Sequence, residues 1–376
     1  MNIKTFAVEH WMNLYEMEAV YNIAETCVES LTVNELISID GTDPEKFLLD
    51  LGQNKLTYGH IEGSPDFRRL VANQYHSLDA DNVLVTNGAI GANFLLLYSL
   101  IQPGDHVVAV HPTYQQLYDV PASFGATVDL LPLREENNYL PDLNELKSLV
   151  NEKTKMIIIN NPNNPSGAII EKKMLEEIVE IARSYDAYIL CDEVYRKLLQ
   201  EDDLVVPSIV DLYEKGISTS SMSKVLSLAG LRLGWIAGPK EVITECFRHR
   251  DYTTISCGML DDILAVHALK NYDKILDRNR KIIKENLSIL DAWVEQEPLI
   301  SYVKPRAGTT AMLKYDLDLP VSSEDFCIGL FKANGAFLTP GSCFDIESHV
   351  RIGYACKTEV LEQGLQKVSE YLRTFK

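Results

Sequence analysis

The sequence lacks a long apolar segment, a paired-cysteine motif and an excess of basic charge. No apolar run approaches the roughly 20 residues that a membrane-spanning helix needs, and the first residues do not lead into the apolar core of a secretory signal. The seven cysteines are scattered, with no CxxC pair and no metal-like spacing. The net charge of −19 argues against nucleic acid or an anionic membrane surface as a partner. We therefore expect reduced thiols, a cytoplasmic location, and no nucleic-acid, membrane or metal partner.

The composition is that of a globular protein, and the central part of the chain alternates short apolar strands with helices. The 376 residues are 46% hydrophobic and 24% charged, which allows a sizeable core and about two domains. The predicted strands are 83–85, 106–110, 128–131, 155–160, 188–191, 217–220 and 233–238, with helices such as 89–101 and 172–184 between them. This alternation is typical of a mostly parallel sheet covered by helices on both faces.

The flanking regions have a different pattern. Residues 1–40 carry apolar side chains at helical spacing and are predicted to be helical. Ser64 followed by Pro65 predicts the start of a helix. A long helical region at 261–293 precedes short strands and helices up to the end of the chain. The predicted domains are a large α/β domain, 45–265, and a small α+β domain, 1–44 with 266–376.

Glycines and an aromatic residue follow the first two predicted strands. In open α/β sheets, ligands bind beyond the carboxyl ends of the strands. Gly88, Ala89 and Ile90 open a helix after the first strand, where free backbone N–H groups can hold an anion. A tight turn is the alternative interpretation. Tyr114 follows the second strand and can stack on a planar ring or pack within its loop.

Amides and a carboxylate follow two later strands. Residues 161–167 have the sequence NPNNPSG, which is richer in Asn and Pro than a structural turn requires, so amides such as Asn164 can point inward. Asp192 ends the strand at 188–191, and a buried carboxylate there needs a partner. A protonated pyridine nitrogen would be a suitable partner, although a helix N-cap is a competing interpretation.

A lysine and two arginines complete the set of candidate residues. Ser221 lies three residues before Lys224 and Arg232 lies eight after it. A hydroxyl and a guanidinium together suit a phosphate dianion. We expect a desolvated lysine beside another cation to lose proton affinity, so that its neutral amine can attack a carbonyl. Arg351, inside a predicted strand, needs a carboxylate from a substrate or from an ordinary ion pair.

This ordered set of motifs resembles the fold-type I, class I/II family of pyridoxal phosphate (PLP)-dependent aminotransferases. The similarity covers nearly the whole chain, and its most specific motifs are NPNNPSG at 161–167, DEVY at 192–195, SMSK at 221–224 and RIG at 351–353. The resemblance implies the fold-type I α/β architecture with PLP as cofactor. It also implies a homodimer with shared active sites that moves an amino group between an α-amino acid and a 2-keto acid.

The resemblance further implies a role for each candidate residue. Lys224 would form the Schiff base with the cofactor and shuttle protons, and Asp192 would pair with the pyridine nitrogen. Tyr195 and Asn164 would bond to the ring oxygen, and Tyr114 would stack on the ring. The implied phosphate contacts are Gly88, Ala89, Ile90, Ser221, Arg232 and, from the neighbouring subunit, Tyr58. Arg351 would bind the α-carboxylate of the substrate. The catalytic residues would be Lys224, Asp192 and Tyr195.

Several segments depart from the family pattern where the substrate pocket is usually shaped. Residues 26–33 lack the expected Gly, residues 9–11 have the unusual sequence EHW, and two Asp at 261–262 stand where a Gln is common. No second arginine for a side-chain carboxylate is evident apart from Arg306, so a dicarboxylate donor is less expected.

Two alternative functions remain open at this point. Residues 250–252 and 305–309 resemble capreomycidine synthase-like enzymes, which cyclise an arginine derivative. A PLP-dependent lyase or cyclase is therefore one alternative. A PLP-binding regulatory module is another, but such modules carry an attached DNA-binding segment, and this acidic chain has no basic extra domain.

Overall fold

The computed structural model describes residues 3–375. The α-helices in that range are α1 Ala7–Tyr15, α2 Val33–Ser38, α3 Pro44–Leu51, α4 Pro65–Ala72, α5 Gly88–Leu100, α6 Gln116–Ser123, α7 Leu143–Leu149, α8 Lys172–Ser184, α9 Lys240–Arg250, α10 Met259–Lys270, α11 Tyr272–Gln296, α12 Ser323–Asn334 and α13 Thr358–Leu372. The strands in that range are β1 Tyr21–Asn22, β2 Val83–Thr86, β3 His106–His111, β4 Thr127–Pro132, β5 Thr154–Asn160, β6 Tyr188–Asp192, β7 Gly216–Ser221, β8 Gly234–Ala237, β9 Ile300–Tyr302, β10 Thr310–Tyr315, β11 Ala336–Phe337, β12 Thr339–Pro340 and β13 His349–Gly353.

The larger sheet has the strand order β2-β8-β7-β6-β5-β3-β4 among the described residues. Its strands are parallel except for β8, which is antiparallel to both β2 and β7. Successive residues of β5 belong to different apolar cores, with Met156 and Ile158 in one and Ile157 and Ile159 in the other. Because side chains alternate between the two faces of a strand, a sheet covered on both faces needs apolar residues at every position. The predicted mostly parallel sheet is confirmed.

The second sheet is antiparallel, in the order β12-β13-β10-β9, and the N-terminal segment packs beside it. Strand β1 pairs in parallel with β11, with Tyr21 opposite Ala336. The Gly353 amide donates to the Ile23 carbonyl at 2.9 Å. A Cβ at Gly353 would lie 1.8 Å from the Glu25 carbonyl oxygen, so only glycine permits this approach. The N-terminal segment thus packs with C-terminal elements, while the domain boundaries at 45 and 265 stay a prediction.

The prediction of a helical region over residues 1–40 is wrong between residues 19 and 32. Apart from β1, this stretch has no regular structure. Its apolar residues Ile23, Ala24 and Val28 are buried from extended backbone, in the core beneath the second sheet. Hydrogen bonds to β11 and β13 override the helical spacing of the sequence.

The predicted helical region at 261–293 is two helices, and the division falls at Asn271 between α10 and α11. The Asn271 side-chain amide donates to Asp40 Oδ2 at 3.0 Å and to the His267 carbonyl at 3.1 Å. Asparagine commonly interrupts helices through such local bonds. The predicted helix start at Ser64 is confirmed, since its hydroxyl accepts from the Phe67 amide ahead of α4.

No helix among residues 3–375 has both the length and the apolar character of a membrane span. Within the same range, no group of three or more His, Cys, Asp or Glu side chains is placed to hold a metal ion. The seven cysteines are all free thiols.

Candidate active site

A cavity of about 250 Å³ opens at the carboxyl ends of the central strands. Asn160, Asp192 and Ser221, the last residues of β5, β6 and β7, line one side of it. The N-terminal segment and Arg351 of β13 line the other side. The predicted residues that line the cavity are Ala89, Ile90, Tyr114, Asn164, Asp192, Tyr195, Ser221, Lys224, Arg232 and Arg351. The fold therefore brings nearly all of the predicted site together.

Lys224 extends its ammonium group toward the N-terminal segment. Its Nζ lies 2.5 Å from Thr26 Oγ1 and 3.2 Å from Cys27 Sγ. Burial lowers the pKa of Lys224, but Cys27, Tyr195 and Glu25 together raise the pKa above its usual value. Burial also raises the pKa of the Cys27 thiol and the Tyr195 phenol, which are neutral near pH 7, so the carboxylates of Glu25 and Asp192 are the charges that act on Nζ. The expectation that Lys224 has a reduced proton affinity is wrong for the protein alone.

Asp192 is a buried carboxylate, 4% exposed, that forms no ion pair within residues 3–375. Its Oδ2 accepts a hydrogen bond from Asn93 Nδ2 at 2.8 Å and its Oδ1 accepts from the Val194 amide at 3.2 Å. Thr219 Oγ1 donates to Asn93 Oδ1 at 2.6 Å, which fixes the orientation of the amide. Burial raises the pKa of Asp192 to about 6, although these hydrogen bonds oppose the change. A ligand with a positively charged N–H group would satisfy this carboxylate.

The start of α5 and Arg232 form a cradle at one end of the cavity. Gly88 has a φ of +70°, and a Cβ there would lie 3.1 Å from Arg232 Nη2. A Cβ at Gly234 would lie 2.6 Å from the Ala89 nitrogen, so glycine at both positions lets these elements approach. Asn87 provides no side-chain cap for α5. The first N–H groups of the helix can therefore bind an anion beside the guanidinium, which fits a phosphate.

Arg351 is a buried cation, 2% exposed, on the opposite side of the cavity. Its Nη1 donates to Asn164 Oδ1 at 3.2 Å, and its Nη2 donates to the Ala24 carbonyl and to Thr339 Oγ1, both at 3.1 Å. Its Nε has no hydrogen-bond partner in the described part of the chain. Burial lowers the pKa of Arg351, as expected for a guanidinium without a carboxylate. A substrate carboxylate would supply the missing acceptor.

Three predicted tyrosines occupy different positions. Tyr195 is buried at the cavity. The Tyr114 hydroxyl donates to Glu9 Oε1 at 2.7 Å, which fixes the ring at the cavity wall. Tyr58 is 68% exposed and lies outside the lining, so within one chain it does not reach this site.

Arg306 is not available for a substrate carboxylate. Its Nε pairs with Glu201 at 2.6 Å and its Nη1 with Glu171 at 2.5 Å. It also lies outside the cavity lining. The suggestion from the sequence that Arg306 could bind a side-chain carboxylate is therefore wrong.

Comparison with known proteins gives the family. The model of the family described as aminotransferase class I and II matches residues 33–368. The chain belongs to the class I and II aminotransferases. An aspartate aminotransferase of Pyrococcus horikoshii is 32% identical over 82% of this chain and 81% of that protein. Capreomycidine synthase of Streptomyces vinaceus is 29% identical over 98% of this chain and 93% of that protein. The crystal structure of a PLP-dependent aminotransferase from Streptococcus suis is 49% identical, covers 100% of this chain and 99% of its own, and superposes with a TM-score of 0.97.

These comparisons confirm the main predictions made from the sequence. The chain is a class I/II aminotransferase of fold type I, its cofactor is PLP, and its reaction moves an amino group between an α-amino acid and a 2-keto acid. The lyase or cyclase alternative has a relative in capreomycidine synthase but is not the favoured function.

Some lining residues of this aminotransferase were missed in the sequence. Asn93 is buried within the otherwise apolar helix α5, and that isolated amide was the available signal. Glu9 belongs to the unusual EHW segment, which the sequence places among those that shape the substrate pocket, without a task for the carboxylate itself. Thr26 belongs to residues 26–33, which also depart from the family pattern. Glu16 and Glu25 have no recognisable signal in the sequence, because they reach the cavity only through the path of the N-terminal segment.

Proposed function

We propose that Lys224 holds PLP in this cavity and that the chain carries out transamination through the residues around it. The observation that supports this most strongly is the presence of Lys224 and Asp192 on one cavity, where Asp192 is buried and forms no ion pair with a described residue. A carboxylate kept in this state needs a ligand that supplies positive charge. The ring nitrogen of PLP is such a group.

The proposed cofactor contacts follow from the arrangement of donors and acceptors. Asp192 pairs with the ring nitrogen, Tyr195 and Asn164 bond to the ring oxygen, and Tyr114 stacks on the ring face. The phosphate contacts are the α5 N-terminus at Gly88, Ala89 and Ile90, together with Ser221 and Arg232. Asn93 keeps the Asp192 carboxylate in place. Arg351 is left for the α-carboxylate of the substrate.

The residues then have distinct tasks in the reaction. When bound, PLP supplies an electron sink for the electron pair released at the substrate α-carbon. Arg351 orients the substrate by its carboxylate, and ionised Asp192 holds a proton on the ring nitrogen. Lys224 Nζ takes the proton from the α-carbon and returns a proton later in the cycle.

Borohydride reduction followed by peptide mapping tests the assignment of Lys224. Borohydride fixes a carbonyl cofactor permanently to the amine that holds it. We expect a pyridoxyl label on the peptide that contains Lys224, because its Nζ lines the cavity beside Asp192. A label on any other lysine would refute the assignment.

The products distinguish transamination from cyclisation. In transamination, one equivalent of donor yields one 2-keto acid and pyridoxamine phosphate, and continued turnover needs a second keto acid. A lyase or cyclase would turn over without any keto acid. A dependence on added keto acid is therefore the expected result.

We further propose a homodimer in which Tyr58 reaches the phosphate of the partner's cofactor. The segment around Tyr58 carries exposed apolar side chains, with Leu56 80%, Tyr58 68% and Tyr252 84% exposed. Ser256 Oγ donates to the Tyr58 carbonyl at 3.0 Å, so these segments form one surface. A second cavity of about 700 Å³, lined in part by Met259, adjoins this surface. Exposed apolar area of this kind is typical of an interface.

Hybrid dimers test whether Tyr58 acts across the interface. Tyr58→Ala should weaken PLP binding by about 10-fold through loss of a charge-assisted hydrogen bond, and Lys224→Ala should be inactive. A hybrid of the two has one intact site only if Tyr58 acts on the partner. Mixed subunits should then recover about a quarter of wild-type activity at limiting PLP. If verified hybrids recover no activity, the proposal is contradicted. Tyr58→Phe, which lacks the same hydroxyl, should restore activity in hybrids with Lys224→Ala just as Tyr58→Ala does.

We also assign the protein to the cytoplasm. The support for this proposal is the set of seven unpaired thiols, which suits a reducing compartment.

A further inference from the structure

Three glutamates line the same cavity as Lys224 and Arg351, and the proposed reaction gives them no task. Glu9 lies in α1, Glu16 follows that helix, and Glu25 lies in the extended stretch after β1. All three are half-buried. We call Glu9, Glu16 and Glu25 the acidic wall.

Protein donors hold each carboxylate of the acidic wall in place through one oxygen. Glu9 Oε1 accepts from the Tyr114 hydroxyl at 2.7 Å, and Glu16 Oε1 accepts from Asn22 Nδ2 at 3.3 Å. Glu25 Oε1 accepts from the amides that follow it, at 2.7 and 2.8 Å. These bonds fix the side chains. The Glu16 and Glu25 carboxyl groups also contact each other, and no described donor is bonded to an Oε2 atom of the three glutamates.

The acidic wall lies near Lys224 and Arg351 but forms an ion pair with neither. None of its members forms an ion pair with a lysine, arginine or histidine in the described range. Burial raises the pKa of Glu16, and the nearby carboxylates of Glu25 and Glu9 raise it further. The three carboxyl groups are therefore close enough to repel one another when ionised.

Arg351 points independently to the ligand that completes this arrangement. It is 98% buried, since 2% is exposed, and its Nε has no partner on the same cavity. In the proposed function, the substrate α-carboxylate satisfies Arg351 and the cofactor phosphate satisfies Arg232. Both available guanidinium groups are then neutralised, and the acidic wall still faces the substrate. An apolar side chain would leave these carboxylates desolvated, and an acidic one would be repelled.

We propose that the amino donor is an α-amino acid with a cationic side chain, a guanidinium or an ammonium group, which the acidic wall binds while Arg351 binds its carboxylate. This inference rests on the proposed function. Charge-assisted bonds to more than one carboxylate discriminate strongly against a neutral isostere, because the site's charges would otherwise remain unpaired.

Paired substrates of matched shape test the inference. The holoenzyme is supplied with L-arginine or its neutral isostere L-citrulline, and with L-lysine or L-norleucine, and kcat/KM of the amino-donor half-reaction is measured. We expect a preference of about 10-fold or more for the cation in at least one pair. L-aspartate should be a poorer donor than either cation. Equal rates within both pairs, or a preference for L-aspartate, would overturn the inference.

Variants of the acidic wall separate binding from chemistry. Glu16→Gln removes one negative charge from the acidic wall. The double variant adds Glu9→Gln, which removes a second charge while the glutamine amide oxygen can still accept from the Tyr114 hydroxyl. The matched control is Glu18→Gln, an exposed glutamate of the same turn outside the lining. The cation-to-isostere preference should fall about 10-fold in the double variant and stay unchanged in the control. An unchanged preference in the double variant would overturn the inference.

A binding measurement avoids reliance on turnover. Calorimetry on Lys224→Ala protein with PLP gives the Kd of L-arginine and L-citrulline without completed turnover. We expect L-arginine to bind more tightly than L-citrulline. This difference in Kd should become smaller when Glu16→Gln is added. Equal Kd values for both amino acids, together with the absence of any kinetic preference, would refute the inference. If Lys224 carries the label and neutral amino acids are the best donors, the inference fails and the proposed function stands. If no amino acid reacts and borohydride labels no lysine, the proposed function is refuted, and the inference that rests on it is refuted with it.

Discussion

Replacing Lys224 with alanine should lower turnover by about 10³-fold or more while the protein still folds and binds PLP without a covalent bond. General acid–base catalysis alone contributes about 10²- to 10⁴-fold, and loss of the covalent link adds to this. The fold should tolerate the change because, among residues 3–375, Nζ donates hydrogen bonds only to Thr26 and Cys27, both at the cavity. The phosphate cradle and Asp192 remain, so PLP should still be retained.

The measurement is the rate of the first half-reaction in a single turnover, with bound PLP quantified beforehand. Lys215→Ala is the matched control, because Lys215 precedes β7 whereas Lys224 follows it, and it pairs with Asp186 at the far end of the strand. The control should keep its turnover. A small primary amine in solution should restore part of the rate of Lys224→Ala, since it can take over the proton transfer. Full activity of Lys224→Ala without added amine would refute the role of the lysine.

The strand-end residues could be predicted from the sequence because a parallel sheet brings its carboxyl ends to one edge. Asp192 and Ser221 end neighbouring strands, and Asn164 follows the next strand, so their order along the chain translates into proximity. Gly88 was recognisable for a similar local reason, since a glycine at the start of a helix suits a phosphate.

The acidic wall could not be predicted in the same way, because it depends on contacts between the two ends of the chain. Tyr21 pairs with Ala336, and Gly353 packs against Glu25. These contacts draw the N-terminal segment across the cavity, whereas its apolar spacing alone predicted a helix. The expected loss of proton affinity at Lys224 is wrong for a related reason, because residues distant in sequence raise its pKa: Cys27, Tyr195 and Glu25, of which Cys27 and Glu25 are more than 190 positions away.

The behaviour of Asp192 should differ between the cofactor-free and the catalytic protein. Burial raises its pKa from 3.8 to about 6. The stability that protonated Asp192 contributes is fully present below pH 3.8 and is lost as the pH rises through about 6. A difference of this size corresponds to about 3 kcal/mol of unfolding free energy. The cofactor-free protein should lose this stability between about pH 4 and pH 6.

Asp192→Asn should remove that pH dependence, because an amide does not ionise. The free energy of unfolding of cofactor-free protein is measured by urea titration at pH 4 and at pH 7 for the variant and for wild type. The free energy of unfolding of Asp192→Asn should increase relative to that of wild type as the pH rises. Asp50→Asn in α3, whose exposed carboxylate forms no ion pair in the described range, should show no such shift. An equal stability difference at both pH values would contradict the buried ionised carboxylate.

Asp192→Asn should gain stability relative to wild type in the cofactor-free state as the pH rises, but it should lose turnover. We expect its turnover to fall by about 10³-fold. An amide cannot keep the ring nitrogen of the cofactor protonated, so the electron pair at the substrate α-carbon would be stabilised less. PLP should also lose affinity for the variant, since the Asp192 charge is the group that the ring nitrogen pairs with. A carboxylate that destabilises the empty protein near pH 7 and is required for catalysis there is retained for its ligand. Turnover of Asp192→Asn within about 10-fold of wild type would show that Asp192 is a structural residue and that the ring nitrogen is held by another group.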